Sequence, residues 1–153
     1  MKIQWKNLIT CLAIPLAVGS LSAFLTQNNM ETFDSINKPL LAPPGWLFPL
    51  VWTVLYILMG IASYLVLTSE RPNDTALTVY GIQLTFNFFW PIIFFNLELY
   101  LAAFIWLVLL WLLILKTASL FYQISKPAGY LMFPYLLWVT FAGYLNFFIY
   151  LLN

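Results

Sequence analysis

The sequence predicts an all-α membrane protein, a bundle of five transmembrane helices. Of its 153 residues, 63% are apolar and 7% are charged, whereas soluble domains average about 45–50% and about 25%. A domain of about 150 residues buries only about 70% of its unfolded surface, so this chain cannot hide its apolar surface from water. Its six basic and five acidic residues also leave five long uncharged stretches, at 7–30, 39–69, 75–97, 99–115 and 127–153.

These stretches are predicted to be helices rather than barrel strands. A helix needs roughly 20 apolar residues to cross about 30 Å of hydrocarbon. A closed strand barrel would alternate polar and apolar side chains, and residues 104–115 (FIWLVLLWLLIL) do not alternate. We therefore predict one domain over residues 1–153, with helices at 7–26, 45–68, 76–96, 99–122 and 128–151.

The first apolar segment has a second interpretation, as a signal peptide. Lys2 and Lys6 precede it, and its residues 19–23 (GSLSA) have the composition of a cleavage site. The uncharged run is long for a signal sequence, however, and Pro15 lies in its middle. We interpret this segment as the first transmembrane helix.

The positions of lysine and arginine predict the orientation in the membrane. Five helices place the termini on opposite sides, and cytoplasmic loops carry an excess of basic residues. One side would carry Lys38 alone, and the other would carry Lys2, Lys6, Arg71, Lys116 and Lys126. We therefore expect a multi-pass protein of the cell membrane whose N-terminus is cytoplasmic.

The connection between the first two helices, residues 27–44, is far longer than the other connections. Loops of this length are often functional lids. Phe33 and Ile36 give it apolar side chains, and Pro39, Pro43 and Pro44 stiffen its second half. We expect a partly ordered cap over the outer face of the bundle, against the alternative of a solvated linker.

Composition narrows the chemistry that the protein can perform. A net charge of +1 offers no basic face to nucleic acid. Histidine is absent and Cys11 is the single cysteine, so we expect no metal, no cofactor and no histidine-based catalysis. No predicted span places an ionisable residue at mid-membrane, since Lys116 lies near one end of the fourth span and Glu98 falls in a turn.

Aromatic and amide side chains are the remaining candidates for a binding site. Trp52 and Tyr56 lie one turn apart on the second helix, and Gln83, Asn87 and Trp90 share one face of the third. Each could instead serve packing, and an amide in lipid often joins helices.

A further group of candidate residues lies along one face of the predicted fifth helix and forms a stripe there. It consists of Tyr135, Trp138, Ala142, Leu145 and Asn146. Small and aromatic residues together with a few amides are typical of a small-molecule pocket. Such a pocket would suit a large planar aromatic molecule or a rigid polycyclic lipid.

Three blocks of the sequence resemble the translocator protein family, also called TspO or the tryptophan-rich sensory protein family. They are Lys38-Pro39 with Pro43-Pro44 and the run 48–60 (FPLVWTVLYILMG), the run 87–95 (NFFWPIIFF), and the run 134–138 (PYLLW) with Phe141 and Leu145-Asn146. Pro15 and Gly19 are similar to the first helix of that family. The resemblance covers nearly the whole chain, in order.

The resemblance implies a five-helix bundle that binds tetrapyrroles such as protoporphyrin IX. It also implies benzodiazepine and isoquinoline-carboxamide ligands, homodimers in the membrane and, in some bacterial members, light-dependent oxidative degradation of bound porphyrin. The ligand-binding positions that it implies are Trp52, Asn87, Trp138 and Ala142, with Pro43 and Pro44 in a lid.

The chain departs from the family pattern at three places. Leu41 and Phe88 stand where many members have tryptophan. Residues 150–153 (YLLN) lack the basic residue of the sterol motif proposed for animal members. We therefore expect weak sterol binding, and a lid and outer pocket that differ from the usual form.

Three functions remain open from sequence. The leading hypothesis is a tetrapyrrole-binding membrane protein that senses, scavenges or helps to move porphyrin. The second is an enzyme that degrades porphyrin by photo-oxidation, with the indoles of Trp52 and Trp138 as candidate electron donors. The third is a transporter or binding protein for other amphipathic ligands such as sterols, without catalysis.

Overall fold

Five long helices build the molecule, each of them long and apolar enough to span a membrane. The computed structural model describes residues 2–153, except the side chain of Thr32. In chain order the helices are α1 (Trp5–Thr26), the short α2 (Glu31–Ser35), α3 (Leu47–Leu67), α4 (Asp74–Pro91), α5 (Tyr100–Ile124) and α6 (Lys126–Leu152). The predicted five-helix membrane bundle is confirmed.

The helix ends agree closely with the uncharged stretches of the sequence. A π-helical turn, Ile92–Asn96, continues α4 to the residue at which its span was predicted to end. The other ends lie within two residues of those predicted. Charges mark these ends because an ionised side chain is costly inside hydrocarbon.

The five long helices form a closed ring in the order α1, α3, α6, α5, α4. The backbones of α1 and α3 approach closely at Gly60, where a Cβ atom would come within 2.8 Å of the Cys11 carbonyl oxygen and the Leu12 Cα. Glycine is therefore required for the two backbones to pack at this distance. The main hydrophobic core lies in the half of the bundle that contains Gly60. Five of its fully buried side chains are those of Met59, Leu110, Ile114, Phe121 and Met132.

Proline interrupts α4 beside the site described below. Pro91 has no amide hydrogen to donate, and the next amide, that of Ile92, turns to the carbonyl of Phe89. The hydroxyl of Ser22 on α1 donates a hydrogen bond of 3.0 Å to the carbonyl oxygen of Phe88. This bond satisfies a backbone group within the bundle, where water is scarce.

The long loop packs onto the bundle. Its anchor is Phe33 of α2, which is 7% exposed and packs against Phe94 and Ile149 in a second, smaller core. The ring of Phe48 meets that of Phe33 edge-on, with centroids 5.1 Å apart. The loop therefore closes one end of the helix ring.

Candidate functional site

A cavity of ≈ 610 Å³ lies between α1, α3, α4 and α6, in the half of the bundle that the long loop closes. Its volume is within the range of pockets for drug-sized ligands, about 300–1,000 Å³. Of the candidate residues from the sequence, the structure brings together seven on the wall of this cavity: Trp52, Tyr56, Asn87, Trp90, Ala142, Leu145 and Asn146. Three different helices supply them, so the predicted faces of those helices do converge.

The other five candidates lie elsewhere. Gln83 is fully buried and accepts a hydrogen bond from the Tyr135 hydroxyl. Tyr135 is 1% exposed and lies behind Asn87. Trp138 packs against the ring of Phe48, with centroids 5.8 Å apart, rather than lining the cavity. Pro43 and Pro44 precede the wall residues Gly45 and Trp46 without lining the cavity themselves.

A chain of hydrogen bonds fixes the deep end of the cavity. The Tyr56 hydroxyl donates to the Asn87 Oδ1, and the Asn87 Nδ2 donates to the Tyr135 hydroxyl oxygen, each over 2.7 Å. The Tyr135 hydroxyl donates in turn to the Gln83 Oε1, again over 2.7 Å. Asn87 therefore joins α3, α4 and α6, and each such bond stabilises a membrane bundle by about 0.6–2 kcal/mol.

The indole of Trp90 is held in a similar way. Its Nε1 donates to the Asn146 Oδ1 over 3.0 Å, and the Asn146 Nδ2 donates to the Tyr100 carbonyl oxygen over 2.8 Å. The amide side chains of Asn87 and Asn146 thus orient aromatic rings and satisfy buried polar groups.

Flat rings make up much of the wall. The ring of Trp52 stacks on that of Tyr56, with centroids 5.7 Å apart and planes at 28°. On α1, Gly19 allows this arrangement, because a Cβ atom there would collide with the Tyr56 ring. Aromatic walls with few polar groups are suited to flat, largely apolar ligands.

Sequence reasoning missed several wall residues. On α1 these include Ser22 and Thr26, which give no signal because that helix is apolar on every side. In the loop they include Glu31, Phe33 and Asp34. The pattern of an aromatic residue between two acidic residues, in a segment expected to cap the bundle, could have indicated their place.

The fold and the site define a multi-pass α-helical membrane protein with a cavity lined by aromatic residues between its helices. The sequence model of the TspO/MBR family matches residues 11–152, and the chain belongs to this family.

Similar proteins in three organisms agree with this assignment. The chain is 41% identical over 157 residues to the tryptophan-rich protein TspO of Chlorobaculum tepidum, which covers 100% of this chain and 99% of the relative. It is 38% identical to the tryptophan-rich sensory protein of Cereibacter sphaeroides (96% and 91% covered) and 32% identical to the translocator protein of Bos taurus (94% and 88% covered). The family that the three sequence blocks indicate is confirmed.

Proposed function

We propose that this protein binds a tetrapyrrole such as protoporphyrin IX in the cavity, as a sensor, scavenger or facilitator of porphyrin movement in the cell membrane. The observation that carries the proposal is the wall itself, where the rings of Trp52, Tyr56 and Trp90 line one cavity. A macrocycle against these rings would gain about 0.5–1.5 kcal/mol per aromatic contact beyond the burial of its surface.

The small residues of the wall support a ligand of this width. Gly19 on α1 and Ala142 on α6 both line the cavity. Larger side chains at these positions would reduce the space between the two helices. Benzodiazepine and isoquinoline-carboxamide ligands, which are also flat and aromatic, would compete for the same cavity.

We also propose that the bound tetrapyrrole is degraded in light. The Trp52 indole would donate an electron to the excited macrocycle, which passes it to dioxygen to give superoxide. Superoxide then adds to the macrocycle, and the adduct returns the electron to the oxidised indole. The added O–O bond and one bridging C=C bond break to give two carbonyl groups. Both oxygen atoms come from dioxygen, and no acid–base residue is required.

The experiment that tests this function uses purified protein in a non-ionic detergent. Protoporphyrin IX is added in the dark and its absorbance is followed, first without light and then under illumination. We expect saturable binding in the dark, and loss of the macrocycle bands in light that is faster than with empty micelles. Absence of saturable binding would contradict the proposal, and light-driven loss equal to that in empty micelles would contradict the degradation step.

The oligomeric state is a separate proposal. We expect a homodimer in the membrane, as the family resemblance implies. Crosslinking in native membranes tests it, and a single monomeric band at saturating crosslinker would contradict it.

A further inference from the structure

One lysine lies well inside a membrane-spanning helix. Lys116 belongs to α5 and precedes the end of that helix, Ile124, by eight residues. Its Cα therefore lies about 12 Å from that end, since an α-helix rises about 1.5 Å per residue. A charged side chain at this depth is costly, and in membrane proteins it usually marks a functional site and has a partner.

The protein itself supplies no partner for the Lys116 ammonium group. The side chain is exposed, and among the described residues none forms a hydrogen bond or an ion pair with it. The neighbours of α5 in the helix ring are α4 and α6, so an exposed residue of α5 faces the surrounding lipid. The long stem of a lysine can carry its charge towards the headgroups, which here lie at the Ile124 end of the helix.

Two polar side chains continue from Lys116 towards that end of α5. Ser119 and Gln123 follow it at spacings of three and seven residues, so all three share one face of the helix. Both are exposed, and the Gln123 Nε2 donates to the Ser119 Oγ over 3.4 Å. The hydrogen of the Ser119 hydroxyl has no acceptor among the described residues, so it remains available to a ligand.

A second cation lies where this row of polar side chains reaches the end of α5. Arg71, in the connection between α3 and α4, donates from Nη1 to the Gln123 carbonyl oxygen over 2.6 Å. Its guanidinium has five N–H groups in all. Glu70 and Asp74 are near it in the sequence, but within the described part of the chain neither forms an ion pair with it. We call Lys116, Ser119, Gln123 and Arg71 the donor row.

The same face of α5 is apolar on the other side of Lys116. Leu112, Leu109 and Ile105 precede Lys116 by four, seven and eleven residues, and all three are exposed. The face therefore changes from apolar to polar at Lys116. This order matches a phospholipid, whose chains lie in the hydrocarbon and whose headgroup lies outside it.

We propose that the donor row binds the phosphate group of an anionic phospholipid, in the leaflet on the side of the N-terminus. The phosphate carries a negative charge and several acceptor oxygens, which complement two cations with a hydroxyl and an amide between them. The acyl chains lie along Leu112, Leu109 and Ile105. Basic residues on the cytoplasmic side of transmembrane helices are a known means of binding such headgroups.

The test compares phosphatidylglycerol with phosphatidylcholine of the same acyl chains, added to the purified protein in a non-ionic detergent at low salt. Native mass spectrometry gives the dissociation constant of the first lipid bound. We expect phosphatidylglycerol to bind about fivefold more tightly, because one basic side chain near an anionic headgroup contributes a factor of about this size.

Variants at the donor row should change this preference. Lys116→Met keeps an unbranched side chain but removes the charge, and it should reduce the preference to less than about twofold. Lys116→Arg should retain it, and Ser119→Ala should lower it to an intermediate value. The control is Lys6→Met, which removes the same charge on the same side of the bundle but from α1, a helix that is not a neighbour of α5 in the ring. The control should keep the full preference.

Each variant is first shown by its thermal melt to be folded. Equal affinity of the original chain for the two lipids would contradict the inference, as would an unchanged preference in Lys116→Met. If Lys6→Met loses the preference as fully as Lys116→Met does, net charge is responsible and the donor row is not a site. Displacement of phosphatidylglycerol by soluble glycerol phosphate would show that the row takes free phosphate rather than lipid, which also overturns the inference.

The donor row is separate from the cavity, since none of the described residues on the cavity wall belongs to α5. The lipid measurement therefore leaves the tetrapyrrole proposal unaffected, whichever result it gives.

Discussion

The hydroxyl of Tyr56 on α3 donates a hydrogen bond of 2.7 Å to the amide oxygen of Asn87 on α4, and both side chains line the cavity. This bond links the shape of the cavity to the stability of the bundle. The helices α3 and α4 make few direct contacts with each other, so the side chains that join them have a large share in fixing their positions.

Removing the Asn87 amide should therefore destabilise the protein. Asn87→Leu would leave the Tyr56 hydroxyl without its acceptor and the Tyr135 oxygen without its donor. We expect a loss of about 1–2 kcal/mol in the free energy of unfolding, seen as a lower Tm in detergent. Thr85→Val is the control on the same helix, because the Thr85 hydroxyl bonds only to its own helix, at the Gly81 carbonyl. If both variants melt alike, the hydrogen-bond chain does not stabilise the bundle.

The orientation in the membrane is open to a direct test. Gln4 and Leu40 are exposed at opposite ends of the bundle, and Leu40 is 84% exposed. In a background with Cys11→Ser, we expect an impermeant thiol reagent on intact cells to label Leu40→Cys and to spare Gln4→Cys. This follows from the excess of basic residues on the side of the N-terminus. Labelling of Gln4→Cys with protection of Leu40→Cys would reverse the assignment.

Much of the fold follows from the sequence, because every charge except that of Lys116 lies at a helix end or in a connecting segment, and because the helices of a bundle bury their amides. The spacing of Trp52 and Tyr56, and of Asn87 and Trp90, places each pair on one face of its helix, and in the structure that face lines the cavity. Residue spacing gives the direction in which a side chain points around the helix axis, as these pairs show.

Spacing does not give depth along that axis, which explains why Tyr135 lies off the cavity wall. It shares a stripe with Ala142, which lines the wall, but it lies nearer the start of α6, behind the Asn87 side chain. Trp138 packs instead against the ring of Phe48 on α3, a contact between helices that the spacing within one helix does not predict. The path of the loop is also beyond residue spacing, because it depends on where the Phe33 ring finds a site between α4 and α6.

The indole of Trp52 should matter for photochemistry more than for affinity. Trp52→Phe keeps a flat ring on the wall but replaces an easily oxidised indole with a ring that is much harder to oxidise. We expect porphyrin affinity within about threefold, and light-driven degradation at least tenfold slower, measured from the loss of absorbance under constant light. Trp52→Ala should lose both.

Two other tryptophans serve as comparisons for Trp52. Trp138→Phe should slow degradation less than Trp52→Phe does, because Trp138 packs against Phe48 and does not line the cavity. Trp111→Phe should behave as the original chain, since the Trp111 Nε1 donates to the Thr140 hydroxyl oxygen over 2.8 Å in a separate groove between α5 and α6. Equal degradation rates in all three variants would mean that the indoles are structural.

The central claim, that this cavity holds the tetrapyrrole, is tested most directly by filling it. Ala142 is buried on the cavity wall, so Ala142→Phe would place a ring in the space that the macrocycle needs. The matched control is the next residue, Gly143, where an added Cβ would meet only the Leu107 Cδ2, at 4.0 Å.

The measurement is a dark titration of protoporphyrin IX into the original chain, Ala142→Phe and Gly143→Ala, each shown by its thermal melt to be folded. We predict that Ala142→Phe weakens binding by more than tenfold, about 1.4 kcal/mol, whereas Gly143→Ala leaves the Kd unchanged. The same Kd for all three folded proteins would contradict the claim, because the porphyrin would then bind somewhere other than this cavity.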